Sequence, residues 1–282
     1  MTSIPHARWL LVFAIVLCGL VIGVSLFAAL GAAKTPAATE LLPDVRPEAP
    51  SELSVGTDGN SGFQLSFEAA FDNVGTGPLR IEARRPNGSE RMTAHQVVGR
   101  SDGSWEVVPD VGELRYVESE DHQHWHFFQF MRYELVRVTD DELVAPDRKT
   151  GFCLGDRYNT DPSVDLPGEP PMPGVFDAPP FNNDWCGQGD PDRSGLTMGT
   201  SVGYGDDYHA WIDGQSIDIT NVPEGTYYLV HRVNADVRES DYSNNAASVL
   251  LELRWPDGSD GPPTVAVLAS CPDTARCPPG SL

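Results

Sequence analysis

Apolar and polar residues alternate along most of the chain beyond residue 54, as they do in strands that bury one face. Residues 63–71 show this alternation, and residues 79–83 follow a Gly-containing turn at 72–77 as the expected partner strand. Few stretches carry a helical period. Further strands are predicted at 96–98, 105–108, 114–117, 124–134, 135–138, 216–219, 227–233 and 247–254. Many short strands joined by Gly, Asn, Asp and Pro turns predict an all-β chain, a β-sandwich with long irregular loops.

One long apolar segment precedes this pattern. Residues 9–33 carry no charge, and they are numerous enough to span a bilayer, which needs about 20 residues. A secretory signal has a shorter apolar core, so the length favours an uncleaved transmembrane signal anchor. The alternative is cleavage near the Ala pairs at 32–38, which would make the protein secreted. Because Arg8 precedes the span and an acidic chain follows it, residues 1–8 should stay cytoplasmic and the folded part should lie at the cell surface.

Composition divides the rest of the chain into a linker, one domain and a tail. Residues 34–53 are rich in Pro, Ala and Glu and are predicted to form a linker. Residues 54–257 form the predicted sandwich domain, which is long enough to bury a core, and residues 258–282 form a Pro- and Gly-rich tail. Within the domain, residues 155–199 show almost no apolar periodicity, and a connection of this length is either disordered or functional.

The charge and the cysteine content limit the possible binding partners and the cellular compartment of the protein. The formal net charge of −22 argues against a nucleic-acid partner and would attract cationic substrates. Cys18 lies in the apolar segment, and the other four cysteines are predicted to form two disulfide bonds in an oxidising compartment. Three connectivities are possible. We favour Cys153 with Cys186, and Cys271 with Cys277 because the second bond closes a short loop.

His122, His124 and His126 occupy alternate positions in the chain. Side chains at alternate positions of a strand share one face, so three imidazoles can form a facial metal site. A flat strand spaces such residues by about 6–7 Å, so a bend or bulge must help them converge. Nitrogen ligands without thiolate suit Cu(II), Zn(II), Ni(II) or Fe(II), and copper has the highest intrinsic affinity of these ions. A run of surface histidines without a metal is the alternative.

Several segments of the chain are specific when they are taken together. They are residues 120–127 (EDHQHWHF), 149–154 (KTGFCL), 199–219 (GTSVGYGDDYHAWIDGQSIDI), 223–229 (PEGTYYL) and 239–245 (ESDYSNN). In their order and spacing, residues 40–255 resemble the catalytic domain of the lysyl oxidases, a family of copper amine oxidases whose quinone cofactor is made from their own residues. The membrane anchor and the simple organisation suggest a microbial member.

The resemblance implies roles for single residues. His122, His124 and His126 are the implied copper ligands, and Lys149 and Tyr208 are the implied precursors of a lysine tyrosylquinone. Lys149 is the one lysine of the predicted domain. The implied activity is that of a protein-lysine 6-oxidase-like amine oxidase. It deaminates peptidyl-lysine or other primary amines to aldehydes, consumes O2, and releases ammonia and hydrogen peroxide.

A general base must remove a proton from the carbon that bears the amine. Asp207, His209 and Asp213 are the candidates near Tyr208 in the sequence.

The resemblance also implies a structural calcium ion. Oxygen atoms that hard cations prefer cluster in residues 239–245, and an acidic residue near the start of the domain joins them. The candidate ligands are Asp44, Glu239, Asp241, Asn244 and Asn245. A solvated Asx-rich hairpin is the alternative interpretation.

The chain departs from the animal enzymes at several places. Tyr204 and Gly214 stand at positions of cysteines, and Ser119 stands at the position of an upstream histidine. Residues 155–199 differ in length and composition, so the choice of substrate does not transfer from the family.

Two other functions stay open. A non-catalytic extracytoplasmic copper- or zinc-binding β-sandwich protein would keep the histidines but would have no use for Lys149 beside Tyr208. A cupin-like oxygenase would add a carboxylate and a further histidine on later strands, and that pattern is not found in the sequence.

Overall fold

The computed structural model describes residues 37–57, 62–86, 89–119, 122–146, 151–160, 181, 185–233, 236–258, 261–278 and 280. Residues Thr39–Leu282 belong to one compact unit. The described residues form strands and no helix, so the prediction of an all-β chain is confirmed for them. Among these residues no helix is long and apolar enough to cross a membrane, and the anchor predicted at 9–33 lies outside them.

Eighteen strands follow one another along the described residues. The first nine are β1 (Glu40–Leu41), β2 (Val45–Pro47), β3 (Ser51–Thr57), β4 (Phe63–Asn73), β5 (Leu79–Arg84), β6 (Arg91–Arg100), β7 (Trp105–Glu118), β8 (Gln123–Phe128) and β9 (Met131–Arg137). The other nine are β10 (Leu143–Pro146), β11 (Gly151–Phe152), β12 (Tyr158–Asn159), β13 (Gly195–Thr200), β14 (Tyr204–Tyr208), β15 (Ser216–Asp218), β16 (Gly225–Val233), β17 (Ala246–Arg254) and β18 (Thr264–Cys271). In β5 every second side chain is buried, as its alternating sequence predicts.

The strands pair into three sheets. The first sheet has the order β11-β8-β7-β6-β5-β13, and β1 pairs with β6. The second has the order β10-β9-β16-β17-β18. The third is built on β4, which pairs with β2, β3, β14 and β15, while β12 pairs with β14. The sequence predicted a sandwich, which has two sheets, whereas the described residues form three.

One cluster of buried apolar side chains is shared by the three sheets. Phe67 of β4 packs on Tyr133 of β9 with ring centroids 5.0 Å apart. Phe71 of β4 packs on Phe130 at 5.1 Å and on Phe152 of β11 at 5.8 Å. Burial of each such ring contributes about 1.5–3 kcal/mol, so β4 joins the other two sheets through its aromatic side chains.

The predicted pairing of residues 63–71 with residues 79–83 is wrong. β4 and β5 lie in different sheets, and β5 pairs with β6 and β13. The local alternation of apolar residues predicted both strands correctly, but it holds no information on which strands pair.

The buried side chain of Asn73 explains why the chain leaves the third sheet after β4. Its Oδ1 accepts hydrogen bonds from the backbone N–H groups of Asp44 (3.1 Å) and Gly75 (3.2 Å). Its Nδ2 donates to the backbone carbonyls of Gly77 and Thr200, both at 3.0 Å. These bonds hold residues 73–77 as a crossing between sheets instead of a hairpin turn.

The strands extend beyond the predicted boundaries of the domain. β1, β2 and the start of β3 lie in the stretch predicted as a linker, and β18 lies in the stretch predicted as a tail. Pro47 ends β2, a short strand that pairs with β4, and prolines are tolerated at such positions. The bond Cys271–Cys277, one of the two favoured pairs, joins the end of β18 to the chain that follows.

Two further differences concern the middle of the chain. The strand predicted at 124–134 is two strands, because Gln129 has a φ of 54° and turns the chain between β8 and β9. Residues 155–199 were predicted to lack regular structure, yet β12 and most of β13 lie within them. Both strands pair with neighbours distant in sequence, which local periodicity does not reveal.

Replacing Asn73 by Ala should lower the free energy of unfolding by about 2–4 kcal/mol, because it removes four hydrogen bonds inside the core. Urea unfolding followed by tryptophan fluorescence measures this change. Asn221→Ala, at an exposed position, is the control and should stay within about 0.5 kcal/mol of the parent. Equal stability of the two variants would contradict the role given to Asn73.

Candidate metal centre

The three histidines meet at the end of the hairpin formed by β7 and β8. His124 and His126 lie in β8, and His122 lies just before it, where the backbone N–H of Ser119 donates to the carbonyl of His122 at 2.7 Å. This turn provides the bend that a flat strand lacks. All three side chains are buried, and one ring nitrogen of each lies within 4.8 Å of the other two. The structure thus brings the three predicted ligands together.

Neighbouring side chains hold two of the rings through Nδ1. Gln188 Oε1 lies 3.0 Å from Nδ1 of His124, and Ser119 Oγ lies 3.4 Å from Nδ1 of His122. A ring that is held through Nδ1 can present Nε2 to a metal, and partners of this kind raise metal affinity. The Nε2 atoms of His124 and His126 are 2.9 Å apart.

Two backbone segments bind β8 and are joined by a disulfide bond. β11 pairs with the end of β8, and the backbone N–H of Trp125 donates to the carbonyl of Cys186 at 3.0 Å. The bond Cys153–Cys186, the other favoured pair, links these segments. A Cβ atom at Gly151 would lie 2.5 Å from the carbonyl oxygen of Phe127, so only glycine allows β11 to approach β8 this closely.

Tyr208 reaches the histidines from the third sheet. Its ring stacks on that of His122 with centroids 5.9 Å apart, and its Oη lies 3.5 Å from Nε2 of His126. The backbone N–H of Cys153 donates to the same Oη at 2.9 Å. Burial, together with the negative charge of Asp206, raises the pKa of Tyr208 above its ordinary value. The metal centre therefore has a buried, protonated phenol against it.

A cavity of about 260 Å³ opens beside the histidines and Tyr208. Its inner wall is formed by His122, His124, Cys153 and Tyr208, which are buried. Its outer wall is formed by side chains that are exposed or partly exposed: Arg157, Trp185, Gln188, Asp207, Trp211 and Ile212. Of this outer set, only Asp207 was predicted from the sequence as a functional residue. The others carry no periodic signal that could have identified them.

The three candidate bases differ in whether they line the cavity that contains Tyr208. Asp207 lines the cavity that contains Tyr208. Asp213 is exposed and lines a neighbouring concavity of about 370 Å³. The exposed ring of His209 lies with its Nδ1 2.8 Å from an oxygen of Glu68, and this hydrogen bond raises the pKa of His209. Of the three, only Asp207 faces the metal centre through the cavity.

Lys149, the predicted partner of Tyr208, lies outside the described residues, together with the rest of segment 147–150. Glu120 and Asp121 also lie outside them. The structure therefore leaves the pairing of Lys149 with Tyr208 as a prediction.

The predicted calcium ligands come together near the start of the domain. Nδ2 of Asn244 donates to Asp44 at 2.7 Å, and Nδ2 of Asn245 donates to Glu239 at 2.7 Å. Asp241 is exposed and accepts hydrogen bonds within its own turn. Four of the five candidates are thus linked in pairs, and Asp241 points into the turn.

The centre of this group is rich in oxygen atoms. Oδ1 of Asn244 and Oδ1 of Asn245 are buried and accept no hydrogen bond from the described residues. Burial, together with the charges of Asp44 and Asp241, raises the pKa of Glu239 to about 7. Buried acceptors beside crowded carboxylates are the donor set that a hard cation binds.

The fold and the site define an all-β protein with a three-histidine centre against a buried tyrosine. Residues 192–256 match the family model described as lysyl oxidase. The chain is 31% identical over 219 residues to the protein-lysine 6-oxidase of Gallus gallus, covering 76% of this chain and 46% of that protein. It is 31% identical over 162 residues to the protein-lysine 6-oxidase of Sus scrofa, covering 55% of this chain and 53% of that protein.

A third relative is the lysyl oxidase homolog 2 of Gallus gallus, 30% identical over 162 residues, which are 56% of this chain and 18% of that protein. The chain thus spans about half or less of the length of these relatives. With the family model, they show that the chain belongs to the lysyl oxidase family.

Replacing Gln188 by Ala should lower the affinity of the site for Cu(II) by roughly 10–100-fold, because His124 loses the partner that orients its ring. Competition with a chelator of known affinity measures the change. Gln123→Ala, an exposed position in the same strand, is the matched control and should bind Cu(II) as the parent does. If both variants bind Cu(II) equally well, Gln188 does not orient His124.

Proposed function

We propose that this protein is a copper-dependent amine oxidase. It deaminates peptidyl-lysine or other primary amines to aldehydes and releases ammonia and hydrogen peroxide. The observation that carries the proposal is the position of Tyr208, which stacks on His122 and places its Oη 3.5 Å from His126. A site that only stores a metal does not need a phenol in its wall, whereas phenol oxidation does. Membership of the lysyl oxidase family supports the same reaction.

Copper is the metal that this donor set fits best. Three neutral imidazoles without thiolate suit a divalent transition metal, and copper binds such ligands most tightly. Zinc also binds three histidines, but it has no redox chemistry with which to oxidise a phenol. The Nε2 atoms of His124 and His126 are 2.9 Å apart, so both would hold the same ion.

Lys149 and Tyr208 are the proposed precursors of the lysine tyrosylquinone. Bound copper with O2 supplies the oxidation of the phenol, and the quinone supplies the oxidising equivalents for the amine. Lys149 is the one lysine beyond residue 34. Lys149 precedes Cys153 by four positions, and the backbone N–H of Cys153 donates to the Oη of Tyr208. The proposed lysine precursor is therefore close in sequence to the residue that holds the phenol.

The protein's own residues prepare Tyr208 for this role. The N–H of Cys153 fixes the Oη, and the ring of His122 fixes the plane of the phenol. Because burial raises its pKa, the phenol keeps its proton until a cation is bound beside it. A neighbouring cation favours the phenolate, so metal binding would lower the pKa of Tyr208.

Lys149→Arg should abolish hydrogen peroxide release with n-butylamine, because a guanidinium cannot add to the ring as a neutral amine can. Copper binding should stay within about twofold of the parent, since Lys149 is not among the three histidine ligands. Lys34→Arg, at the only other lysine, is the control and should keep full activity. Peptide mass spectrometry after aerobic incubation with Cu(II) should find Lys149 joined to Tyr208 in the parent.

This experiment also separates the alternative function. If the parent binds copper at the histidines and the two peptides stay unlinked, the protein is a non-catalytic copper- or zinc-binding protein. If Lys149→Arg still oxidises amines, the quinone is not made from Lys149.

The cluster of Asp44, Glu239, Asn244 and Asn245 is proposed as a calcium site, with Asp241 at its edge. The buried Oδ1 atoms of the two asparagines and the raised pKa of Glu239 support the proposal. A bound divalent cation would offset the repulsion among the carboxylates and join the start of the domain to the turn after β16.

Stability should depend on pH and calcium together. Without calcium, Glu239 keeps its proton in the folded state up to a pKa of about 7, whereas it loses the proton near 4.5 when unfolded. Its contribution to stability therefore falls as pH rises from about 5 to about 7. Added Ca²⁺ should raise the Tm more at about pH 8 than at about pH 5, because calcium favours the ionised carboxylate.

Differential scanning fluorimetry with and without Ca²⁺ measures this difference. In Glu239→Gln the calcium-dependent rise in Tm should be lost, whereas Glu90→Gln, at an exposed position, should behave as the parent. The same calcium response in both variants would rule out Glu239 as a ligand.

The catalytic domain is proposed to lie outside the cytoplasm, held to the membrane by residues 9–33 or secreted after cleavage. The bonds Cys153–Cys186 and Cys271–Cys277 support an oxidising compartment. The high content of acidic residues also fits a soluble domain at the cell surface.

A further inference from the structure

Two tryptophans stand at the mouth of the cavity that contains Tyr208. Trp185 is 56% exposed and Trp211 is 72% exposed, and both line the cavity. Exposed apolar side chains that line one cavity together form a surface of the kind that contacts a ligand. Asp207 lines the same cavity, with 27% of its side chain exposed.

Each indole is held by a cationic or aromatic neighbour. The guanidinium of Arg157 lies 4.2 Å from the centre of the Trp185 ring system. The ring of His209 stacks on Trp211 with centroids 5.9 Å apart and an angle of 21° between the planes. The two side chains are therefore positioned before any ligand arrives, which reduces the entropy that binding would cost.

The charges around the mouth leave one carboxylate facing the cavity. Arg157 lies 3.4 Å from Asp206, and His209 lies 2.8 Å from Glu68. Asp207 Oδ2 lies 3.7 Å from Nε2 of His209, within ion-pair distance, so His209 stands between two carboxylates. Two cationic groups thus stand beside three carboxylates, Asp206, Asp207 and Glu68, and the excess charge at the wall of the cavity is negative.

We propose that Trp185, Trp211 and Asp207 select the substrate as an alkylammonium ion. Asp207 pairs with the ammonium group, and the indoles contact the methylene chain and attract the cation through their π-systems. This inference rests on the proposed oxidase function for its biological meaning, since it names the groups that would hold the amine. The net charge of −22 would bring such cations to the protein from a distance.

The shape of the cavity agrees with an unbranched chain. The cavity is lined both by buried groups, Tyr208 and the histidines, and by the exposed tryptophans, so an elongated ligand would contact both. A lysine side chain or a linear alkylamine has this form.

The test uses butyltrimethylammonium, which carries the alkyl chain and the positive charge but has no N–H bond to react. Isothermal titration calorimetry on the copper-loaded full chain measures its binding. Trp211→Ala and Asp207→Asn should each weaken binding by roughly 3–30-fold. Trp211→Phe should keep most of the affinity, because a phenyl ring retains a π-face.

Two controls match these variants. Asp213→Asn removes a carboxylate two residues from Trp211 that lines the neighbouring concavity, and Trp105→Ala removes an exposed tryptophan of β7 that does not line the cavity. Both should bind the probe as the parent does. If the probe binds Trp211→Ala and Asp207→Asn as tightly as the controls, or if all four variants lose affinity alike, the inference is overturned.

The experiments distinguish a failure of the oxidase proposal from a failure of the proposed cation site. The probe needs no quinone, so its binding can be measured whether or not the parent oxidises amines. If the parent releases no hydrogen peroxide from amines and the probe still binds through Trp211 and Asp207, the cation site stands without the oxidase. If the parent is active and the variants bind the probe normally, the oxidase stands without this cation site.

Discussion

The metal centre depends on hydrogen bonds along both edges of β8. One edge pairs with β7, and the other is bound by β11 and by the carbonyl of Cys186. A strand held on both sides cannot slide by one residue, and such a slip would turn His124 and His126 to the opposite face. The turn before β8 then brings His122 into the group. Because the backbone is held in this way, three imidazoles converge before a metal binds, and little conformational entropy is lost when it does.

The site also depends on a tyrosine from another sheet that reaches these histidines. β14 pairs with β4, so the position of Tyr208 depends on where β4 lies relative to the first sheet. Phe71 packs against Phe130 and Phe152, next to the metal centre, and Asn73 fixes the crossing that follows β4. The site is therefore a product of the packing between sheets. A change in that packing moves the phenol relative to the imidazoles even when every ligand is intact.

The sequence predicted those features that depend on local periodicity or on a joint pattern of residues. The alternate histidines, the strands 63–71 and 79–83, and the all-β class follow from a period of two. It could not predict that β4 and β5 separate, because the side-chain amide that causes the crossing bonds to residues distant in the chain, such as Thr200. Nor could it identify Gln188 or Trp211, since each faces the cavity through the path of an irregular loop.

The loop that contains Cys186 ties the choice of substrate to the geometry of the metal centre. Within four residues, Trp185 stands at the mouth of the cavity, Cys186 binds β8 through its carbonyl, and Gln188 holds the ring of His124. The disulfide bond joins this loop to Cys153, whose N–H holds Tyr208. A substitution that alters the mouth therefore also acts on the ligands and on the phenol. The residues that would admit an amine and those that would oxidise it share this support.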